Sequence, residues 1–344
     1  MQLVYCSDCR KTFCAGAAQK RRAIVRRHLE DHSSYRTIAR RNRVAKRTAI
    51  KVVHQIAHRV RDSIWIAKNL RPKWRGVLGF DGTYLRVRNE FIELARMYGW
   101  GDERFLQKLM ALISVDYHTR DLPHYSLGDN ENLIDLVMHF QILKENGYNL
   151  EVLIRDGNAD IETAARHVYQ TPFAVQQCQY HFLHKFDEAM ATRDMTRKER
   201  DAIALLKGTA CSIICADDID TAIIRIGAFL REQNRFRTSE ITHELTTKFI
   251  RDFERLTMYL QYPKGYVPRT VNFCENINKQ FKDRVKPMCM FQSVQSAEDY
   301  LKVWCLKRRF QKFTDCKKPH QDKNGKAPLE LAGCRIDGLD YLSL

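Results

Sequence analysis

The sequence has 344 residues, with 58 lysine or arginine residues against 41 aspartate or glutamate residues and a formal net charge of +17. This length can bury a large core and exceeds that of one ordinary domain, so two or three domains are expected. No apolar run is long enough to span a membrane, and arginines stand where a signal peptide needs its apolar segment. We therefore expect a soluble, intracellular protein, in the nucleoid region of a prokaryotic cytoplasm or in a eukaryotic nucleus.

The cysteines are the next constraint, because the chain contains 11 of them, an odd number without a recognisable framework. This usage is typical of a reducing compartment, where thiols serve as core residues or metal ligands. We expect no structural disulfide.

The positive charge is concentrated at the N-terminus. Residues 1–76 contain 20 lysine or arginine residues and only four acidic residues, whereas the rest of the chain is nearly neutral. Such a concentration predicts a phosphate-binding surface, with double-stranded DNA as the expected partner. The alternative is a solvated arm that binds anions loosely, but the apolar periodicity of the segment favours a folded module.

Three amphipathic helices are predicted in this basic segment, with a break near Asn42 before the last of them. The arrangement resembles a helix-turn-helix, in which the third helix enters the major groove. A small helical bundle with a charged exterior is the alternative, and the almost uniformly positive exterior argues against it. The residues expected to face base edges or phosphates are Arg43, Lys46, Arg47, Thr48 and Lys51.

Two pairs of potential metal ligands lie near the N-terminus. Cys6 and Cys9 are separated by two residues and His28 and His32 by three, so both imidazoles share one helical face. Thiolates and imidazoles in pairs suit tetrahedral zinc, and we take these four side chains as candidate ligands of a structural Zn²⁺. Three alternatives stay open: Cys14 competes as a ligand, the cysteine pair is half of a zinc ribbon, or no complete site exists.

After Arg75, apolar runs bounded by turn residues alternate with helical periodicity, which predicts an α/β fold. Two of the runs deliver an aspartate followed directly by glycine, at Asp81 and Asp156. If their strands are neighbours, the carboxylates face each other and repel unless a proton or a cation lies between them. Carboxylate oxygens suit Mg²⁺ or Mn²⁺. Either aspartate alone would be an ordinary turn residue, so a third acid is needed.

Glu275, in a polar helix start, is the best candidate for the third acid. The stretches "FDGTYL", "IRDGNADI" followed by "QCQYHFLHKF", and "RTVNFCENINKQFK" resemble the three acidic blocks of Mutator-like DDE transposases. That group includes many bacterial and archaeal insertion-sequence enzymes. The resemblance spans residues 76–312, with acid spacings of 75 and 119 residues, and Cys178-x2-His181 falls where the family has its Cys-x2-His element.

The resemblance implies an RNase H-like catalytic core in which Asp81, Asp156 and Glu275 bind two Mg²⁺ or Mn²⁺ ions. Cys178 and His181 would support the site; a metal-binding pair is the alternative, although two ligands alone make a poor zinc site. We expect an α/β core that is preceded by a small zinc-binding and helix-turn-helix module. The expected parts are a zinc-binding element (1–32), a helix-turn-helix-like domain (18–62), the first part of the core (74–186), a helical insertion (187–262), the last part of the core (263–315) and a C-terminal tail (316–344).

The function implied by the resemblance is DNA transposition. The basic module would recognise terminal inverted repeats, and the core would cut and join them to target DNA with divalent metal, in a homodimer or larger synaptic complex. Two alternatives are a non-catalytic DNA-binding regulator, against which the three acids argue, and an RNase H-like nuclease that cuts without joining.

Overall fold

The structure is a computed structural model, and it describes residues 3–6, 11–31, 33–88, 106–191, 195–288 and 290–344. A larger sheet has the strand order β5-β4-β3-β6-β7, and β1 and β2 form a separate antiparallel hairpin. Within the larger sheet, β3 pairs antiparallel with β4 and β4 with β5, whereas the β3–β6 and β6–β7 pairs are parallel. The strands are β1 (Leu3–Cys6), β2 (Lys11–Cys14), β3 (Val77–Arg88), β4 (Leu106–Asp116), β5 (Tyr125–Gly128), β6 (Val152–Arg155) and β7 (Ala174–Gln177).

Helices make up most of the remaining described residues, and none of them is both long and apolar enough to cross a bilayer. Short 3-10 turns follow α9, α10 and α11. The α-helices are α1 (Ala15–Leu29), α2 (Tyr35–Asn42), α3 (Lys46–Arg59), α4 (Ser63–Leu70), α5 (Leu133–Glu145), α6 (Ala159–Tyr169), α7 (Gln179–Met190), α8 (Arg197–Ile214), α9 (Ile219–Glu232), α10 (Glu240–Thr257), α11 (Asn272–Val285), α12 (Val294–Phe310) and α13 (Pro328–Leu331).

The larger sheet is covered on both faces, because side chains alternate along β3. Leu78 and Phe80 are buried with apolar residues of α5 and α6 on one face. Val77 and Val87 are buried with residues of α11 and α12 on the other. The result is the mixed α/β architecture that the alternating pattern predicts, with helices on either side of the sheet.

The strand that carries Asp81-Gly82 and the strand that ends just before Asp156-Gly157 are neighbours, which is the condition for the two aspartates to face each other. In the parallel β3–β6 pair, Gly79 lies opposite Ile154. Asp81 is two residues beyond Gly79, and Asp156 is two residues beyond Ile154. Two parallel neighbours in this register carry both aspartates in the same direction along the sheet.

Between β7 and α11, three helices (α8, α9 and α10) form a layer with its own hydrophobic cluster. Phe182 and Phe186 of α7 enter this cluster together with Phe229 and Phe249. The start of α8 is fixed by a capping box, in which the Thr196 side chain and the N3 glutamate satisfy each other's backbone donors. The helical periodicity of this stretch therefore corresponds to helices in the structure.

The N-terminal helices share a core with the C-terminal part of the chain. Val25, Ile38 and Val53 belong to the same buried cluster as Tyr300 and Trp304 of α12. Contacts between α3 and α12 join the two parts directly. The basic helices are thus fixed against the sheet-containing part of the molecule.

The C-terminal residues, for which the composition suggests a tail, contribute to that core. Ala327, Leu329 and Leu342 are buried in the cluster that contains α12. The backbone N–H of Lys73, just before β3, donates to the carbonyl of Ala332 at 2.7 Å. The segment is polar in composition, but its few apolar side chains are the ones that are buried.

Candidate active site

Asp81 enters the site because β3 passes under the N-terminal end of α11. A Cβ atom at Gly79 would collide with Phe273 and Cys274, so the absence of a side chain there lets α11 lie close to the sheet. Asp81 points to the same face as Gly79, two residues further on. Its Oδ2 accepts a hydrogen bond of 2.8 Å from Asn278 Nδ2 on α11.

Asp81 lies in a negatively charged environment. Burial is the largest cause that raises its pKa, to about 6, and the Asn278 hydrogen bond acts in the opposite direction. The charges of Glu131, Asp156 and Glu275 raise it further. Three carboxylates therefore act on the fourth, although they come from sequence positions up to 194 residues from Asp81.

Asp156 follows the last residue of β6, where the chain turns into α6. Its Oδ1 accepts a hydrogen bond of 2.8 Å from the backbone N–H of Asn158. The side chain of Asn158 also caps α6 by accepting from the Asp160 N–H at 3.0 Å. The turn therefore holds Asp156 at the end of the strand through local hydrogen bonds.

Glu131 is the acid that the sequence interpretation missed. Its Oε2 accepts a hydrogen bond of 3.2 Å from Asn158 Nδ2, and burial raises its pKa, with the charge of Asp156 adding to that rise. A Cβ at Gly82 would collide with Glu131 Oε1. Because Gly82 and Asp81 point to opposite faces, the glycine after the aspartate was the signal that another group approaches the strand there.

Glu275 lies in the first turn of α11, beside His181 of α7. Its Oε1 is 3.5 Å from His181 Nε2. Cys178 is fully buried, and its Sγ accepts from the Val271 N–H at 3.5 Å. Among the described residues, Cys178, His181 and Glu275 form a group whose potential ligand atoms all lie within 4.8 Å of one another. Proximity to Cys178, followed by the charges of Glu275 and Asp156, raises the pKa of His181 to about 9.

Two oxygen atoms at the site accept no hydrogen bond from the described residues, although one of them lies 3.5 Å from His181 Nε2. They are Glu275 Oε1 and Asn278 Oδ1, and both atoms are buried. Asn278 as a whole is only 5% exposed. A hard cation is bound by oxygen ligands. Buried oxygens that accept no hydrogen bond, next to several carboxylates, can supply such ligands.

The residues predicted to contact DNA lie together on the surface. α2 ends at Asn42, the next residue Arg43 adopts the left-handed conformation with φ of 51°, and α3 starts three residues after Arg43. Ala49, Val52 and Val53 of α3 are buried against the other helices. The predicted contact residues Arg43, Lys46, Arg47, Thr48 and Lys51 are all exposed.

The candidate zinc ligands are described only in part. Cys6 lies in β1, while Cys9 and His32 fall outside the described residues. His28 is buried, its Nδ1 is 3.0 Å from the carbonyl oxygen of Ser33, and its ring stacks on Tyr35. Burial lowers the pKa of His28 to about 4, and its buried Nε2 has no partner among the described residues.

Comparison with known proteins identifies the family. A family model described as "Transposase, Mutator family" matches residues 41–309, from the end of α2 to the end of α12. No curated protein is significantly similar to the chain. The matched range includes all three acids of the predicted triad, the Cys178–His181 element and the helical layer between them. The chain therefore belongs to the Mutator family of transposases.

Proposed function

We propose that this protein is a DDE transposase, which binds the terminal inverted repeats of a mobile element and catalyses metal-dependent DNA cleavage and strand transfer. The observation that carries the proposal is the convergence of acids on Asp81. Asp156 arrives from the neighbouring strand and Glu275 from a helix on the same face, and both charges act on Asp81. In this proposal Asp81, Asp156 and Glu275 are the catalytic residues.

The topology of the sheet supports an RNase H-like core. Its first three strands in chain order, β3, β4 and β5, form an antiparallel meander. β6 then pairs in parallel with β3, and β7 pairs in parallel with β6. The helical layer α8–α10 separates Asp156 from Glu275, as the insertion of such a core would. This arrangement places the first two acids on adjacent central strands.

The residues present fit hard divalent cations. Carboxylate oxygens are the ligands that Mg²⁺ and Mn²⁺ prefer, and the site has an excess of negative charge and two unpaired buried oxygens. Asp81, Asp156 and Glu275 would hold two such ions. When bound, the ions would activate the attacking oxygen and stabilise the leaving oxygen of an in-line displacement at phosphorus.

The other polar residues of the site position these acids. Asn278 donates to Asp81 Oδ2 and so orients one carboxylate, and Asn158 holds Asp156 through its backbone N–H. His181 lies beside Glu275 Oε1 and supports that side chain. Cys178 packs under the start of α11 through its contact with the Val271 N–H. We therefore prefer a supporting role for Cys178 and His181 over a zinc site, because Glu275, the third potential ligand of their group, is assigned to the Mg²⁺ or Mn²⁺ ions in this proposal.

The basic helices are proposed to bind the terminal repeats. Arg43, Lys46, Arg47, Thr48 and Lys51 would face the major groove from α3 and the turn before it. Two ends must be held for joining, so we infer a homodimer or a larger synaptic complex. A structural Zn²⁺ held by Cys6, Cys9, His28 and His32 stays a prediction, which metal analysis of purified wild type and the Cys6→Ser variant tests.

The test uses labelled duplexes from the DNA that flanks the reading frame, a target plasmid and Mg²⁺. We expect joined products with wild type, and neither cleavage nor joining with Asp81→Asn, Asp156→Asn or Glu275→Gln, all of which keep binding the duplex. The exposed Asp337→Asn is the matched control and should be active. Binding without cleavage by wild type would indicate a regulator, and cleavage without joining would indicate a nuclease.

A further inference from the structure

Arg120, in the turn between β4 and β5, has an unusual conformation for its residue type. Its φ is 58°, and its backbone N–H donates to the carbonyl of Asp116 at 2.8 Å. A left-handed conformation is sterically unfavourable for a residue with a Cβ atom. Positions of this kind are retained where a side chain must be aimed at something specific.

The guanidinium of Arg120 has aromatic neighbours but no anionic partner. It lies 4.5 Å from the ring centroid of Tyr117 and 4.8 Å from that of Phe273. Its Nη1 is buried and has no acceptor among the described residues. A buried donor without an acceptor destabilises the folded state, and a charged donor does so more strongly.

The nearby carboxylate of Asp116 does not supply that acceptor, because its oxygens are already used. Oδ1 accepts from the N–H and the hydroxyl of Thr119, at 2.9 and 2.8 Å. Oδ2 accepts from the Arg75 N–H at 3.1 Å and from the Tyr148 hydroxyl at 2.9 Å. Both carboxylate oxygens of Asp116 thus accept hydrogen bonds from other donors, and Arg120 Nη1 is left without an acceptor among the described residues.

Further cationic side chains surround Arg120. Arg308 of α12 has a buried Nε and His118 a buried Nε2, and neither atom has a partner among the described residues. Lys323 is 9% exposed and donates its Nζ to the His118 carbonyl at 2.8 Å. In the described part of the chain, no ion pair joins a carboxylate to any member of this group, which we call the Arg120 cluster: His118, Arg120, Arg308, His320 and Lys323.

The charge of Arg120 acts on the other four members of the Arg120 cluster. Burial is the largest cause that lowers the pKa of Arg308, to about 10, and of Lys323, to about 8, and the charge of Arg120 lowers both further. The pKa values of His118 and His320 are lowered by the same two causes, among others. Asp116 and Asp322 act in the opposite direction without removing the shifts. The two histidines are therefore neutral donors or acceptors at neutral pH, and the three gathered cations, Arg120, Arg308 and Lys323, indicate a site for an anion.

We propose that the Arg120 cluster binds a phosphate group. An arginine presents its N–H donors in a planar fork that matches phosphate oxygens, and aromatic contacts leave the edge of the fork available. If the proposed function is right, the phosphate belongs to the DNA backbone. Phe273 touches Arg120 and belongs to the same first turn of α11 as Glu275, so the cluster contacts the end of α11 that carries this acid.

The first experiment measures binding of a labelled DNA duplex in EDTA, between about 50 and 200 mM salt. Relative to wild type, we expect Arg120→Gln to bind about tenfold more weakly, with a salt slope smaller by about one and an equal loss for all sequences. The control is Arg335→Gln, an exposed arginine of the C-terminal segment, which should leave both quantities unchanged. Because no divalent metal is present, this result does not depend on whether the acids are catalytic.

The second experiment measures thermal unfolding in inorganic phosphate and in chloride at equal ionic strength. We expect phosphate to raise the melting temperature of wild type and not that of Arg120→Gln. A phosphate effect together with weaker DNA binding assigns the site to the DNA backbone, and a phosphate effect alone assigns it to a free phosphate. Unchanged duplex binding together with equal phosphate responses in wild type and variant would overturn the proposal.

Arg308→Gln provides a second variant that leaves the turn intact. It lies in α12, so it removes a cation from the Arg120 cluster without altering the left-handed position. We expect Arg308→Gln to weaken duplex binding and to reduce the effect of phosphate on the melting temperature, each by less than Arg120→Gln does. If Arg120→Gln does not fold, Arg308→Gln decides the proposal. Asp81→Asn, by contrast, should lose cleavage and retain the wild-type salt slope, which separates this site from the catalytic one.

Discussion

At the scale of single residues, the site depends on the alternation of side chains within Asp81-Gly82. Asp81 faces α11, where Asn278 donates to it, and Gly82 faces the start of α5. The missing side chain of Gly82 leaves room for Glu131. Acidic side chains therefore approach this dipeptide from both faces of the sheet. This explains why a carboxylate that is unfavourable to bury and a residue without a side chain occupy consecutive positions in a central strand.

Glu131→Gln tests whether this fourth acid contributes to the site. The substitution keeps the shape and the hydrogen bond from Asn158 but removes a charge close to Asp81 and Asp156. We expect the cleavage rate at fixed Mg²⁺ to fall about 10- to 100-fold, as for other groups that support metal ligands. The measurement is a Mg²⁺ and Mn²⁺ titration of cleavage.

The matched control is Glu145→Gln, at the opposite end of α5 and exposed. It makes the same chemical change at the far end of the helix that Glu131 precedes, and we expect wild-type activity. Equal metal titration curves for Glu131→Gln and wild type would show that the convergence of Glu131 on the site has no functional role.

At the scale of elements, buried histidines join α4 and α5 to the sheet. His139 of α5 lies within 2.8 Å of the hydroxyls of Ser114 and Ser126. His124 Nδ1 lies 2.9 Å from the Ser63 hydroxyl of α4, and the two imidazole rings are 4.6 Å apart. Hydroxyls can satisfy neutral imidazoles but do not compensate two positive charges, so the pair holds these elements in place only when it is neutral.

We predict that acid destabilises the protein through these histidines. Burial lowers the pKa of His124 to about 4 and that of His139 well below its usual value. The unfolded chain therefore binds more protons below pH 6.5, and the free energy of unfolding falls as the pH drops from 6.5 towards 4, by an amount on the order of 3 kcal/mol for His124. Denaturant unfolding at a series of pH values measures this.

The variant His124→Gln should flatten part of that pH dependence, since it removes one of the two titrating groups. His167→Gln, at an exposed position of α6, is the control and should keep the wild-type slope. Parallel pH curves for His124→Gln and wild type would contradict the assignment.

At the scale of the whole molecule, the basic helices and the catalytic part form one continuous core. The Tyr341 hydroxyl donates to Glu30 Oε1 at 2.7 Å, and Arg26 pairs with Asp340 at 2.9 Å. These contacts fix the end of α1 against the C-terminal segment. If α3 binds DNA as proposed, the duplex has a defined direction relative to the acids, because the two regions cannot move independently without breaking buried contacts.

Tyr341→Ala tests this coupling. Tyr341 is 8% exposed, and removal of its ring and hydroxyl should destabilise its surroundings by about 3 kcal/mol. Hydrogen exchange of Tyr341→Ala should be accelerated relative to wild type more strongly in α1 than in the central strands β3 and β6. The control is Leu339→Ser, at a 41% exposed residue of the same segment, for which we expect no change. Equal acceleration in α1 and the central strands, or none in either, would argue against local coupling.

The sequence by itself determined the features that depend on local patterns. The strand and helix periods, the basic charge of residues 1–76 and the three acidic blocks are all written in short stretches, because a residue's period and its neighbours suffice to define them. The pairing of the Asp81 and Asp156 strands was not among these features, because two strands and a helix separate β3 from β6 in the chain.

Only the tertiary structure decided which distant groups complete each site. Asn278 reaches Asp81 across 197 residues, Glu131 approaches Gly82 from the far face, and the tail packs against the first helix. The unpaired state of Arg120 is likewise a property of what surrounds it. Such contacts depend on how the helices cross the sheet and on which hydrogen-bonding groups already have partners. Neither property can be predicted from the local periodicity of the sequence.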